Sequence, residues 1–290
     1  MYSQIDTNKR KTALLIALFI AFVIGLGYGL DWYFQGGGGI LALAIIISMI
    51  MSLISYYQAD KIALAATGAR EIKKTDNPYV YNMVENLCIT AGMPVPRVHI
   101  INSPALNAFA TGRDPKHAAI ALTTGIIAAL ENEELEGVIA HELSHVKNYD
   151  IRVMTVVVVL AGTVALLGNF FFRAHFFGGR HRDNRQAGGI LMLVGLIFLI
   201  LSPIIAELIK LAISRKREYL ADASGALLTR YPEGLALALE KISQSPATLA
   251  TASAATAHLF ISNPIKKESF LALFSTHTPI KDRVLKLRKM

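Results

Sequence analysis

The chain has 290 residues, of which 53% are hydrophobic and 17% are charged; soluble domains carry about 25% charged residues, so an integral membrane protein is favoured. The net charge of +8 would suggest nucleic acid in a soluble protein, but the positive residues cluster beside apolar runs and indicate orientation in a bilayer, with no nucleic-acid partner. A single cysteine, Cys88, excludes an intramolecular disulfide and a cysteine-based zinc site.

Four apolar segments are long enough to cross a bilayer, which takes about 20 residues. The first is longer than the apolar part of a signal peptide, and no small-x-small cleavage site follows it, so an uncleaved anchor is predicted. We therefore expect about four transmembrane helices in two hairpins, formed by Thr12–Leu30, Gly36–Ala59, Val153–Phe172 and Ala187–Ala206.

Flanking charges predict how the hairpins are oriented. Lys9, Arg10 and Lys11 precede the first segment, whereas the 31–35 turn contains no Lys or Arg, so the N-terminus should be cytoplasmic. The arrangement of the second hairpin in the membrane is ambiguous. Arginines between its two segments resist translocation, while basic residues on its outer flanks hold those flanks on the cytoplasmic side. It either spans the bilayer or enters it partway, and we favour spanning.

Between the hairpins, the pattern predicts a small helix–sheet–helix unit. A helix should run from Asn77 to Cys88. In the strand that follows, Val98 and Ile100 should face the core and His99 the solvent, because side chains alternate along a strand. The three short strands expected are Val95–Ile101, Asn107–Thr111 and Ala118–Thr123.

A second helix should begin near Asn132, a good N-cap, and continue to about Asn148. Further helices are expected at residues 215–228, 232–243 and 279–290, with 245–257 as a loop or weak helix. The predicted domains are therefore an N-terminal transmembrane hairpin (1–60), the first part of a cytoplasmic catalytic domain (61–152), a second hairpin (153–214) and the second part of the catalytic domain (215–290).

The most informative motif lies on that second helix, where residues 141–145 read HELSH. His141 and His145 are four residues apart, so their imidazoles project from one helical face and can converge on one metal ion. Glu142 points beside them, where its carboxylate could deprotonate a metal-bound water. This H-E-x-x-H pattern predicts zinc-dependent peptide hydrolysis.

A catalytic zinc ion needs a third protein ligand and one open position. Glu218 follows the fourth apolar segment directly, so it should lie at the same membrane face as His145. Asp222 follows four residues later on the same helical face and could orient a ligating histidine. The alternative is a solvated helix on which Glu218 pairs with neighbouring Lys or Arg.

Residues 141–146 (HELSHV), Asp150, residues 217–222 (REYLAD) and residues 107–112 (NAFATG), with two flanking hydrophobic hairpins, resemble the HtpX family of bacterial heat-shock membrane metalloproteases. That family belongs to the gluzincins, which include the CAAX prenyl proteases. The resemblance covers nearly the whole chain. It implies a mainly α integral membrane protein with a small α+β zincin-like catalytic domain.

The resemblance also implies roles for individual residues. His141, His145 and Glu218 would bind one catalytic Zn²⁺, with Glu142 as the general base and the carboxylates of Asp222 and Asp150 supporting the metal ligands. The edge strand would accept the substrate backbone as an added strand, through Asn107, Ala108, Phe109 and Ala110.

Two residues near the C-terminus have an open role. The family shows His-Pro-Pro followed by Arg, whereas this chain has His277-Thr278-Pro279 and then Arg283. His277 and Arg283 are therefore candidates either to stabilise the oxyanion or to serve in structure and charge pairing.

The resemblance implies a membrane-bound zinc endopeptidase that degrades misfolded or damaged membrane proteins. It would be multi-pass in the bacterial inner (cytoplasmic) membrane, with the site facing the cytoplasm. Expected partners are membrane-protein and unfolded polypeptide substrates, the lipid bilayer and other membrane quality-control proteases.

Three other functions fit the sequence less well. A CAAX-type prenyl peptide protease is the nearest rival, although those relatives have more membrane spans. A silent scaffold or chaperone would not need an intact base and ligand set. A transporter would be expected to bury charges within its spans, and the first three segments contain none.

Overall fold

The computed structural model describes residues 2–160, 163, 215–249, 256–262 and 279–290. Most of the predicted segment Val153–Phe172, all of Ala187–Ala206, and His277 lie outside the described residues. The first part of Val153–Phe172 is described, and residues 150–160 are helical. The two-hairpin prediction is therefore tested only for the first hairpin.

Two long apolar helices, α1 (Tyr2–Phe34) and α2 (Gly39–Tyr57), form that hairpin. The Asp31 carboxylate closes the turn by accepting hydrogen bonds from the N–H groups of Gly38 at 2.9 Å and Ile40 at 3.0 Å. Only 22% of the most apolar part of α1 and 17% of that of α2 are buried. A core helix of a soluble protein would be mostly buried, so these exposed apolar faces suit a lipid environment.

A four-stranded sheet follows, in the order β1-β2-β4-β3. β2 and β4 are parallel, whereas β1 pairs with β2 and β3 pairs with β4 in antiparallel fashion. β3 is therefore an edge strand, as the NAFATG resemblance implied. The elements of this unit are α3 (Ala59–Thr67), β1 (Arg70–Glu71), α4 (Pro78–Ala91), β2 (Arg97–Ile101), β3 (Ala108–Gly112), β4 (Ala118–Thr123) and α5 (Thr124–Ala129).

The prediction for β2 was wrong in one respect, because His99 is buried and Ile100 is only partly buried. Apolar clusters cover both faces of the sheet, one containing Val98 and the other containing Ile101, which lies on the same face as His99. Burial lowers the pKa of His99, which favours its neutral form.

The HELSH motif lies on α6 (Asn132–Lys147). The expected N-cap was wrong by one residue, since Glu131 holds that position and its N–H donates to the Glu134 carboxylate at 2.9 Å. Asn132 is the first helical residue, and its side chain instead accepts a hydrogen bond from the Tyr79 hydroxyl at 2.6 Å. The predicted C-terminal end near Asn148 is confirmed.

Three helices come from the second half of the chain, namely α7 (Arg215–Thr229), α8 (Pro232–Gln244) and α9 (Ile280–Leu287), close to the predicted ranges. α7 and α8 pack against α6, and α9 packs against α7 and α8. A Cβ atom on Gly225 of α7 would lie 3.0 Å from the backbone nitrogen of His141, so glycine permits this close helix approach. Two segments distant in sequence thereby meet at the motif.

Candidate metal centre

Three side chains converge between α6 and α7. One ligand atom from each of His141, His145 and Glu218 lies within 4.8 Å of the others, and all three residues are buried. The Nε2 atom of His141 is 3.9 Å from Glu218 Oε2, and that of His145 is 3.7 Å from Glu218 Oε1. Both imidazoles therefore present Nε2 to the same carboxylate.

The opposite ring nitrogens are held by two further carboxylates. His141 Nδ1 is 2.9 Å from Asp222 Oδ1, and His145 Nδ1 is 3.1 Å from Asp150 Oδ2. An ionised carboxylate can only accept, so each Nδ1 carries a proton, and in the neutral ring Nε2 is then the nitrogen that keeps a lone pair. This tautomer is the one a metal ion requires when it binds through Nε2.

Arg283 is fully buried beside this arrangement. Its Nε and Nη2 donate to the two oxygens of Asp222 at 2.9 and 2.6 Å, and Nη1 lies 3.5 Å from Glu218 Oε2. Arg283 Nη2 also contacts the His141 ring, at 3.3 Å from Nδ1 and 3.4 Å from Nε2; because Nδ1 already donates to Asp222, only Nε2 can accept from the guanidinium. These contacts favour the charge-pairing role for Arg283.

Glu142 lies in the same buried space as the ligands, with 2% of its surface exposed. Burial raises the pKa of Glu142 to about 7. The charge of His145 lowers this pKa, and the charge of Glu218 raises it. The backbone N–H of Ala110 on β3 also contacts this carboxylate and stabilises its charged form. Glu142 thus sits between the ligand set and the edge strand.

The site holds more negative than positive charge. Burial alone would lower the pKa of His145, but its hydrogen bond to Asp150 and the charge of Glu218 raise it to about 9. In the metal-free centre this pKa favours a second proton on His145, at Nε2, and a divalent ion bound there would take the place of that proton. Four carboxylates face two guanidinium groups here, namely Glu142, Asp150, Glu218 and Asp222 against Arg217 and Arg283.

The expected substrate strand, β3, is itself covered. Every residue of β3 is buried, and the Ala108 carbonyl accepts a hydrogen bond from the Ile261 N–H at 3.0 Å. Asn107 exchanges two hydrogen bonds with the backbone of Ser262, and Phe109 makes an edge-to-face contact with Phe260 at 5.0 Å. The chain's own residues 260–262 therefore occupy one end of the edge.

Sequence reasoning missed two residues of this centre. Asn8 of α1 donates to Asp150 Oδ1 at 2.7 Å, although 142 positions separate the two residues. Arg217 Nη1 lies 3.7 Å from the same oxygen. The REYLAD motif contains Arg217 and so offered a signal for it, whereas nothing in the spacing of Asn8 pointed to Asp150. His277 lies outside the described residues.

Known proteins resemble the chain along its full length. A family model described as Peptidase family M48 matches residues 74–290. A "Protease HtpX homolog" from Caldanaerobacter subterraneus subsp. tengcongensis is 48% identical, with 100% of this chain and 98% of that protein covered. Another from Tropheryma whipplei (strain Twist) is 45% identical, with the same coverage. The crystal structure of S. mikatae Ste24p shares the fold, with a TM-score of 0.52 and 16% identity over 99% of this chain and 67% of that one.

Proposed function

The chain belongs to peptidase family M48 and is a membrane zinc metalloprotease, and we propose that His141, His145 and Glu218 hold its zinc ion. One observation carries this proposal: both imidazole Nε2 atoms face the Glu218 carboxylate while both Nδ1 atoms are bound to other carboxylates. Two neutral nitrogens and one carboxylate oxygen form a donor set typical of catalytic zinc. The excess negative charge of the buried cluster also fits a divalent cation.

When bound, zinc would supply Lewis-acid polarisation and lower the pKa of a water molecule. Glu142 would accept a proton from the attacking water while the water oxygen forms its bond to the peptide carbonyl carbon. The carbon–nitrogen bond then breaks, and Glu142 returns the proton to the leaving nitrogen. Asp150 and Asp222 keep the two histidines in the required tautomer. Arg283 in turn keeps Asp222 ionised, because burial alone would raise the pKa of Asp222 but the positive charge of Arg283 lowers it overall.

We further propose that substrate adds to β3 as an extended strand. Recognition of backbone groups suits a protease that acts on unfolded chain of varied sequence. Ile261 and Ser262 already pair with Ala108 and Asn107. An incoming strand would therefore have to displace Ile261 and Ser262 from the edge. The substrates would be misfolded or damaged membrane proteins, and other membrane quality-control proteases would share them.

A matched pair of glutamate variants on α6 tests the catalytic assignment. Glu142→Gln should retain one zinc ion per chain and reduce cleavage of an unfolded polypeptide by about 10²- to 10⁴-fold, the usual contribution of a general base. Glu136→Gln makes the same chemical change on the same helix and should keep both the zinc ion and the wild-type rate of cleavage. Wild-type cleavage by Glu142→Gln would show that another group takes the proton.

The nearest alternative is a CAAX-type prenyl peptide protease, which the shared fold with Ste24p leaves open. Full-length protein in liposomes should be offered an unfolded membrane protein, the same protein folded, and a prenylated C-terminal peptide. Quality control predicts preferential cleavage of the unfolded protein. Preferential cleavage of the prenylated peptide would favour the alternative.

We propose a multi-pass arrangement in the bacterial inner membrane with four spans and a cytoplasmic site. Lys9, Arg10 and Lys11, which lie in α1 just before its apolar part, support this orientation through the positive-inside rule. In a Cys88→Ala background, a cysteine at exposed Gln35 should react with an impermeant maleimide added outside the cell. A cysteine at exposed Lys73 should be protected, and the reverse pattern would invert the proposed topology.

A further inference from the structure

A two-residue turn, residues 148–149, joins α6 to the helical residues 150–160, and Asp150, the carboxylate bound to His145 Nδ1, follows it directly. Tyr149, in this turn, has a φ of 60°, a left-handed conformation that non-glycine residues adopt at a cost of about 1–3 kcal/mol. Its hydrogen bonds are local, from the Tyr149 N–H to Val146 and from the Arg152 N–H to Tyr149. A turn in this conformation needs contacts from elsewhere to define one position of Asp150.

The first membrane helix supplies such contacts. The amide nitrogen of Asn8 donates to the Asn148 carbonyl at 3.0 Å and to Asp150 Oδ1 at 2.7 Å. Both partners can only accept hydrogen bonds, so the amide orientation is determined and both of its hydrogens are used. Asn8 is 3% exposed, and the neighbouring Lys9 ammonium lies 5.5 Å from the Tyr149 ring.

The two oxygens of Asp150 serve different groups. Oδ1 faces Asn8 and Arg217, while Oδ2 lies 3.1 Å from His145 Nδ1. Rotation of the carboxylate would move Oδ2 away from the imidazole. Because Asn8 makes the shortest of these contacts, it fixes the rotation that keeps Oδ2 on His145.

We propose that Asn8 is a positioning residue of the metal site, through which the first membrane helix holds Asp150 and so orients His145. This inference rests on the proposed function, since it assumes that His145 binds zinc. The affinity of the site for zinc would then depend on where α1 lies. An aspartate at position 8 would remove the donor and place two carboxylates side by side, so the position requires an amide.

The test uses full-length, metal-free protein in detergent, titrated with Zn²⁺ against a chromophoric chelator. Outer partners of a metal-binding histidine contribute about 10- to 100-fold in affinity, and we expect a loss of about 10-fold for Asn8→Ala. The isosteric Asn8→Asp preserves packing and should lose more. Thr12→Val is the control, because Thr12 is equally buried and bonds within α1, to the Asn8 carbonyl.

Two further readouts separate positioning from general destabilisation. Cobalt-substituted Asn8→Ala should show altered visible absorption bands, which report ligand geometry, while Thr12→Val should match wild type. In a double-mutant cycle, Asn8→Ala should cause no added loss of affinity once Asp150 is alanine. An equal loss in both backgrounds, or wild-type affinity and spectrum for both Asn8 variants, would overturn the inference.

Failure of the underlying function would look different. His145→Ala should lose zinc under the same conditions. If His145→Ala bound zinc with wild-type affinity, the proposed ligand set would be wrong. If it lost zinc while the Asn8 variants did not, the ligand set would stand and the role of Asn8 would be refuted.

Discussion

Gly225→Ala tests whether the spacing of α6 and α7 determines the metal geometry. The added Cβ would lie 3.0 Å from the His141 nitrogen and 3.2 Å from its Cα, against about 3.4 Å for an ordinary contact, so α7 must move by about 0.4 Å. A misplacement of about 1 Å at a reacting centre lowers the reaction rate by about 100-fold. Scaled to about 0.4 Å, peptide cleavage should slow by about 6-fold, and zinc should bind more weakly because Glu218 moves away from both histidines.

The net loss of stability should be at most about 2 kcal/mol. Overpacking costs about 1–3 kcal/mol, and the better helix propensity of alanine returns about 1 kcal/mol. Gly137→Ala is the matched control, since its Cβ would lie 2.8 Å from the Leu235 nitrogen and push α8 instead of α7. Cleavage rate, chelator competition and denaturant unfolding should be measured for both variants. Wild-type affinity in Gly225→Ala, or an equal loss in Gly137→Ala, would refute the reasoning.

Three further predictions follow from burial and charge. Arg283→Met leaves the Asp222 and Glu218 carboxylates buried without their cation, so unfolding by denaturant should show a loss of about 3–5 kcal/mol; a loss below about 1 kcal/mol would contradict this. Chelation of zinc should abolish cleavage and lower the melting temperature of wild type, but it should leave that of His145→Ala unchanged. Burial raises the pKa of Cys88 to about 12, so iodoacetamide at pH 8 should modify it only in unfolded protein, and rapid native labelling would be the contrary result.

Local parts of the fold could be predicted from the sequence because their signals lie within a few residues. Asn77 caps α4 by accepting the Val80 N–H at 3.1 Å, as its position before proline indicated. The four-residue period placed His141 and His145 on one face of α6. Apolar length alone identified α1 and α2, since it decides what can face lipid.

The remaining features depend on contacts between distant segments. No local pattern links Asn8 to Asp150, because their contact exists only after the first hairpin packs on the catalytic unit. The burial of His99 depends on clusters that cover both faces of the sheet. The coverage of Ala108 by Ile261 likewise depends on the path of a segment about 150 residues later.

Zinc stoichiometry of the purified full-length protein tests the central claim most directly. Wild type and Glu142→Gln should each bind one ion per chain, and Glu218→Ala should bind none under the same conditions. Glu233→Gln removes the charge of a partly exposed glutamate paired with Arg288; it controls for loss of an acidic side chain and should bind one ion. A full complement of zinc in Glu218→Ala would contradict the assignment of the third ligand and with it the proposed site.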